Sequence, residues 1–400
     1  MSELRFYDFF AGVGMAELGL APDWKCVWAN DIDPKKAAIY ASNHDPSVYA
    51  LGDIAGITAA DLTTDAVMAW ASFPCQDLSL AGWGRGMSAE RSGTFWQFYR
   101  IMSELKHIGR RPPLIVLENV VGMLRGRDFQ SLCEALDSLG MQFGTLVIDA
   151  KRFVPQSRPR VFVVALERDA NCDKWVSRQP IPDWSPKPLI DAYDQLPTRL
   201  QRSWRWWNLS VPTLAVSPIE NMIDVEQDIV PWNSDAETAR ILNLMSPTNR
   251  RKVEIAVETG AKSIGFLYKR TRQGHQRAEI RFDGIAGCIR TPTGGSSRQT
   301  VVIIEGGHVR SRLMTPREAA RLMGVEDAFV LANSYNDSYH AIGDGVAVPV
   351  VAWLARNLLT PIAKELENRV IDHRSSGVAS FPRTIAAQPA LMEQRSRWVG

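Results

Sequence analysis

Cys75 stands between Pro74 and Gln76 at the end of an apolar run with β character, Val67 to Phe73. Pro74 fixes its own φ and biases Phe73 toward an extended conformation, which presents the thiol at a strand end. The Ser- and Gly-rich run from Ser79 to Gly93 reads as a long loop able to close over a substrate. A thiol so placed is a candidate nucleophile, and its rival is an ordinary packing thiol, because free cysteine is among the most buried residue types. Glu118 follows the apolar run Leu114 to Leu117, at the carboxyl end of a buried strand where open α/β sheets hold their ligands. Arg158 and Arg160, in Gln156-Ser157-Arg158-Pro159-Arg160, set two guanidinium groups near a strand start, with plain surface charge as the alternative. Gly12 and Gly14 let a backbone turn approach a ligand, and Asp31, after the next strand, can accept hydrogen bonds from both ribose hydroxyls. A turn that serves packing alone is the competing reading. Asp53 adds a third acid at a strand end.

The elements needed to hold these groups are readable in order. Leu4 to Phe10 is an expected strand, followed by the glycine turn and a short helix through Leu20. A second strand, Lys25 to Ala29, leads through Asp31 to Pro34, which opens a helix. A helix over Gly93 to His107, a strand from Leu114, a helix over Arg127 to Leu139 and strands over Gln142 to Asp149 and Arg160 to Glu167 continue the alternation. The fold class expected is therefore α/β, a doubly wound, mostly parallel, Rossmann-like sheet. From about Asp169 tryptophan and proline replace that alternation, Pro180 to Pro188 reads as a linker, and a second, smaller, irregular domain is expected. Thr315 to Gly324 has the capping residues of a short helix, and an apolar helix follows Gly345. The expected division is a catalytic domain over residues 1–185 completed by 336–371, a second domain over 186–335, and a flexible tail over 372–400.

Composition bounds the function. Four hundred residues, 45% hydrophobic and 22% charged, suit about two folded domains rather than a disordered chain. The five cysteines are scattered without a CxxC pair, so neither a disulfide framework nor a metal site is indicated. No basic leader precedes an apolar core, and no apolar run approaches the roughly 18 residues that span a bilayer, so a cytoplasmic protein without a membrane partner is expected. The net charge of +2 hides an uneven distribution, because Lys262 to Arg312 holds ten basic side chains against three acidic ones. Such a segment suits a surface that contacts phosphates, with a solvated face as the alternative.

Taken in order, Phe10-Ala11-Gly12-Val13-Gly14-Met15, Pro74-Cys75-Gln76, Glu118-Asn119-Val120, the Gln156 to Arg160 run, the Arg317 to Gly324 helix and Gly343 to Val350 resemble the DNA (cytosine-5) methyltransferase family, of prokaryotic restriction-modification or orphan type. The matches cover most of residues 4–165 and 312–360, and the interval between corresponds to the family's variable target-recognition domain. The resemblance implies S-adenosyl-L-methionine as cofactor, double-stranded DNA as partner, a flipped target cytosine, a monomer acting at the nucleoid, and admits a cognate restriction endonuclease.

The resemblance also assigns roles. Cys75 would add to cytosine C6, Glu118 would hydrogen-bond N3 and the exocyclic amine, Arg160 would hold the O2 side, and Arg158 would position groups around the cysteine. For the cofactor, Phe10, Gly12 and Gly14 would line one side, Asp31 would take the ribose hydroxyls, Ile32, Asp53 and Ile54 would surround adenine, Pro74 would shape the floor, and Ser79 and Arg91 would belong to the closing loop. Two residues depart from the family pattern: Met15 where a second glycine is favoured, and Asp344 where asparagine is. An Asp344 carboxylate would repel the cofactor's carboxylate and attract its ammonium. Three rivals remain: a tRNA cytosine-5 methyltransferase, a catalytically silent DNA-binding homologue, and a nicotinamide oxidoreductase, the last of which leaves the cysteine, glutamate and arginine motifs unexplained.

Overall fold

The computed structural model describes residues 3–74, 93–213, 215–227, 229–272, 274–291 and 297–375. Cys75, Ser79, Arg91, the glycine run 293–296 and the tail beyond 375 lie outside the described residues. A seven-stranded sheet is built from β1 (Leu4–Phe9), β2 (Trp24–Asp31), β3 (Tyr49–Leu51), β4 (Met68–Ala71), β5 (Leu114–Val120), β6 (Met141–Asp149) and β7 (Pro159–Glu167) in the order β3-β2-β1-β4-β5-β7-β6. β1 to β5 run parallel, and β7 enters antiparallel between β5 and β6. The order reverses between β1 and β4, so connections leave that point toward both edges and open a crevice at the strands' carboxyl ends.

Alternation along the strands explains the two layers. Phe6, Met68, Trp70, Leu114 and Val116 face one core, whereas Tyr7, Ala69, Ile115 and Leu117 face the other. The second face is covered by α3 (Thr94–His107) and α4 (Arg127–Ser138), which bury Phe95, Phe98, Phe129 and Leu132. The first is covered by α1 (Met15–Leu20) together with helices from the far end of the chain. Helix α2 (Pro34–Ala41), capped by the Asp33 side chain, follows β2.

Residues 187–207, placed by sequence beyond a linker, pack back on the first region. Helices α5 (Lys187–Asp194) and α6 (Thr198–Ser203) bury Leu189 and Leu200 in the core shared with α4. Tyr193, Trp204 and Trp206 cluster with ring centroids 4.9 to 5.3 Å apart. The prolines punctuate this segment, but its aromatic rings bury too much apolar area to stay outside a core. A short pair, β8 (Val176–Ser177) and β9 (Trp206–Trp207), closes it.

The region expected to be irregular contains regular structure. Helices α7 (Asp235–Leu242) and α8 (Pro247–Glu258) precede a four-stranded antiparallel sheet of β10 (Ser263–Arg272), β11 (His275–Arg281), β12 (Thr300–Glu305) and β13 (His308–Leu313), in the order β11-β10-β12-β13. Leu267, Ile280, Val302 and Ile304 pack under α7 and α8, while Ile264, Phe266, Val301 and Ile303 turn toward the main core. Basic residues on the exposed positions of β10 and β11 disguise that two-residue period.

Beyond it, α9 (Pro316–Leu322), α10 (Tyr335–Asp344), α11 (Val348–Leu354) and α12 (Thr360–Ser375) return to the first sheet. Ala319, Leu322, Val351 and Leu358 share one core with Met15 and Leu20. A Cβ on Gly19 would sit 2.5 Å from that of Val351, so a glycine is what permits α1 and α11 to approach this closely. Trp24 Nε1 donates to Thr360 Oγ1 at 2.8 Å. The helical stretch Tyr335–Glu367 is, by length and composition, apolar enough to cross a membrane, contrary to the expectation from the sequence. Most of its most apolar window, 61%, is buried inside this protein.

Candidate active site

The glycine turn and Asp31 form one unit. Gly12 N donates to Asp31 Oδ2 at 3.0 Å, Asp33 N donates to Asp31 Oδ1 at 3.0 Å, and Ala11 N donates to the Asn30 carbonyl at 2.9 Å. Each carboxylate oxygen keeps a lone pair for a further donor. Phe10 holds a left-handed backbone, φ 59°, a conformation that costs a non-glycine residue energy and that concentrates at ligand sites. Gly14 has φ 79°, and a Cβ there would collide with the His44 ring, so this glycine is required by packing as well as by the turn. Met15, where the family favours glycine, is buried with its sulfur against Gly345.

Around this unit, Ile32 is 65% exposed, an unusual position for a large apolar side chain beside a carboxylate. Asp53 is exposed and its side chain accepts from Ala55 N at 2.9 Å. Ile54 is buried and packs in the core shared with α3. Asp8, which sequence reasoning missed, is buried on β1 with neither carboxylate oxygen hydrogen-bonded. Burial pushes its pKa well above the ordinary value, and Glu17 and Asp31 add to the rise. An orphaned carboxyl, an exposed apolar side chain and a carboxylate with free lone pairs are what a nucleoside bearing a cationic amino-acid arm would satisfy, so these residues fit S-adenosylmethionine.

The second half of the site lies at the ends of β4 and β5. Asn119 Nδ2 donates to the Phe73 carbonyl at 2.9 Å, tying the strand that leads to Pro74 to the strand that carries Glu118. Pro74 is exposed, and Cys75 follows it in sequence. Because β7 is antiparallel, its first residues reach the same edge, with Arg160 opposite Val120. Arg160 Nε lies 3.2 Å from Glu118 Oε1. Burial raises the Glu118 pKa above its usual range, opposed by Arg160, Arg158 and a hydrogen bond from Ser72. Burial and the paired cations thus pull its proton affinity in opposite directions.

Arg158 is held by backbone carbonyls, and the surroundings of Cys75 that it was expected to position lie outside the described residues. It is buried, with Nη1 donating to the Ile289 carbonyl at 2.5 Å and Nη2 to the carbonyls of Gly343 at 2.8 Å and Gly345 at 2.6 Å. It is a strut that joins three segments, and these contacts occupy its terminal nitrogens. Cys288, also missed, lies 3.4 Å from Arg158 Nη1 and 4.0 Å from Arg160 Nη2. Burial would raise its pKa, but Arg158, Arg160 and Arg290 together hold the thiol below its ordinary value. Nothing in the sequence marks Cys288, because its neighbours are distant in the chain.

The basic segment divides. Arg312 is fully buried in a two-pronged pair with Glu318, Arg281 is paired with Asp283, and Lys262 lies 3.9 Å from Glu305. Lys269, Arg270 and Arg290, with Lys252 of α8 and the paired Arg281, line a cleft of about 500 Å³ that also reaches Ser157 and Pro159.

The doubly wound sheet thus carries a glycine turn bound to Asp31 and, at its carboxyl edge, a buried acid–guanidinium pair. The C-5 cytosine-specific DNA methylase family model matches residues 4–360, and the chain belongs to that family. It is a DNA (cytosine-5)-methyltransferase. Curated relatives include the Type II methyltransferase M1.ScrFI of Lactococcus lactis subsp. cremoris, 27% identical over 91% of this chain and 80% of that protein. Another is the Type II methyltransferase M.HhaI of Haemophilus parahaemolyticus, 24% identical over 90% of this chain and 95% of that one. Among solved structures, the Dnmt2 methyltransferase of S. pombe aligns with a TM-score of 0.56 at 18% identity, over 91% of this chain and 99% of its own. The Entamoeba histolytica methyltransferase EhMeth aligns with a TM-score of 0.59 at 13% identity, over 92% and 99%. Both likenesses are of fold alone.

Proposed function

We propose that this chain methylates C5 of a flipped cytosine within a specific duplex DNA sequence, using S-adenosylmethionine and a covalent bond from Cys75 to C6. The observation that supports it most is the buried Glu118–Arg160 pair beside the strand end that leads into Pro74 and Cys75. Cytosine C5 is a poor nucleophile until a group adds at C6. The Cys75 thiolate forms that S–C6 bond, and the displaced electron pair moves onto the ring, where Glu118 supplies a proton at the N3 side and Arg160 holds the O2 side. The cofactor, when bound, supplies the methyl group that C5 receives. Loss of the C5 proton then expels Cys75 and restores the aromatic ring. Asp31 would hold the ribose, with Phe10 and Ile32 against the nucleoside, Asp8 near the cationic arm, and Pro74 forming the floor.

The DNA reading has its own support. Arg270 and Arg277 stand directly opposite each other on β10 and β11, an arrangement that repels unless an anion lies between. Both are exposed. A duplex stabilises such a face by neutralising it, and a cytosine inside the helix reaches Glu118 only after flipping. We further propose that the enzyme acts as a monomer on nucleoid DNA in the cytoplasm, a setting that admits a cognate restriction endonuclease without requiring one.

The test uses duplex DNA carrying 5-fluorocytosine at the methylated position, since fluorine blocks the last elimination. The wild type is expected to be trapped covalently and Cys75→Ser to bind DNA without an adduct. An adduct with Cys75→Ser assigns the nucleophile elsewhere. Methyl transfer to tRNA but not to duplex DNA transfers the assignment to the RNA class.

A further inference from the structure

An ion pair stands over the glycine turn. Lys36, on the first turn of α2, reaches Asp344 at the end of α10, with Nζ 2.9 Å from Oδ2. Its stem crosses Gly12, with Cδ 3.9 Å from the position a Cβ on Gly12 would occupy. Gly12 in turn donates to Asp31, so Lys36, Gly12 and Asp31 lie in one continuous contact. Burial alone would lower the Lys36 pKa, but Asp344, Asp31 and Asp33 raise it, which keeps the ammonium charged.

Asp344 is fixed from two further sides. Thr291 Oγ1 donates to its second oxygen, Oδ1, at 2.6 Å, and the carbonyls of its chain neighbours Gly343 and Gly345 are gripped by Arg158. Both charges remain reachable, since the Lys36 side chain is 19% exposed and that of Asp344 43%. The pair is held by neighbours from three segments, with Lys36 largely covered and Asp344 facing solvent. A positioned plus–minus pair beside a nucleoside-binding turn is complementary to a zwitterion whose two charges are held one carbon apart. That chemistry belongs to a free α-amino acid group.

We infer that Lys36 is a cofactor-contacting residue which, with Asp344, receives the amino-acid end of S-adenosylmethionine, Lys36 taking the carboxylate and Asp344 the ammonium. The inference rests on the cofactor reading above and adds what the family pattern lacks. A lone aspartate in place of asparagine would repel the cofactor's carboxylate, and Lys36 reverses that repulsion. Thr291, which leads into the segment before β12, makes Asp344 a contact shared between the cofactor side and the recognition side.

Calorimetric titration of the full chain with two probes decides it. S-adenosylhomocysteine keeps the amino-acid end, whereas 5′-methylthioadenosine is the same nucleoside thioether without it. The wild type is expected to bind the first more tightly. Lys36→Met should weaken S-adenosylhomocysteine by about tenfold or more while leaving methylthioadenosine within about twofold, the loss of one charge-assisted hydrogen bond. Lys36→Arg, which keeps the charge, should restore most of the preference. Equal weakening of both probes assigns Lys36 to packing of the turn and overturns the inference, as does no weakening of either. Failure of the wild type to bind either probe overturns the cofactor reading itself, an outcome separate from a silent Lys36→Met.

Discussion

Substituting Glu318 by glutamine should destabilise the protein far more than such a small change suggests. The Glu318 carboxylate accepts from Arg312 Nη1 at 2.8 Å and Thr315 N at 2.8 Å through Oε2, and from Arg312 Nη2 at 2.6 Å and Asp224 N at 2.9 Å through Oε1. Whichever oxygen becomes an amide, two donors then face a donor. Arg312, fully buried, also loses its counter-charge, though it still donates to the carbonyls of Asp224 and Leu313. Breaking one side of a buried pair costs about 3–5 kcal/mol. The double variant Arg312→Met with Glu318→Leu removes both charges and should recover about half of that loss, a coupling measurable in a double-mutant cycle. Urea unfolding followed by tryptophan fluorescence reads the change, with Trp232 5.0 Å from the Arg312 guanidinium. A loss below about 1 kcal/mol, the value of an exposed pair, refutes the reasoning.

Three further outcomes are expected. Arg270→Ala and Arg277→Ala should each flatten the slope of log affinity for DNA against log salt by about one, whereas the buried Arg312 should leave the slope unchanged when replaced together with Glu318; equal slopes for all three remove β10 and β11 from the DNA face. Asp8 holds its proton to higher pH in the folded chain than in the unfolded one, so stability falls as pH rises above the ordinary value of 3.8. Asp8→Asn should therefore melt higher than the wild type at neutral pH and converge with it in acid, and parallel melting curves across pH would count against a buried, proton-holding Asp8. Arg160→Met removes a cation that opposes the rise in the Glu118 pKa, so the limb of the pH–rate profile set by Glu118 should move to higher pH, with a rate loss of about 10²–10⁴-fold. An unmoved limb separates Glu118 from that titration.

Local chemistry was legible in the sequence and distant partnership was not. The Gly12–Asp31 bond follows from a turn and a strand end that must be adjacent in any β-turn-α-β unit, and the helix cap at Thr315 was readable from four residues. The reversal of β7 was hidden, because a buried strand shows the same apolar run in either direction, and with it the reason Arg160 reaches Glu118. Arg312 counted among the phosphate-seeking cations, since a charge tally cannot distinguish a buried guanidinium from an exposed one. Lys36 carries no mark in the sequence, because its partner Asp344 on α10 lies 308 residues later. The β10–β11 hairpin went unread because exposed basic residues obscured its alternation.

The return of the C-terminal helices to α1 has a temporal consequence. During synthesis the ribosome releases the glycine turn, Glu118 and Arg160 long before Val351 and Thr360, the residues that cover α1 and grip Trp24 across 336 positions of chain. A nascent chain halted at the second sheet leaves Met15, Leu20 and Trp24 without their cover, and Lys36 without Asp344. The cover of α1 is therefore complete only once α11 and the start of α12 have been made, and a message truncated before α11 yields a product that carries the acid and guanidinium of the site but lacks the layer that supports its glycine turn.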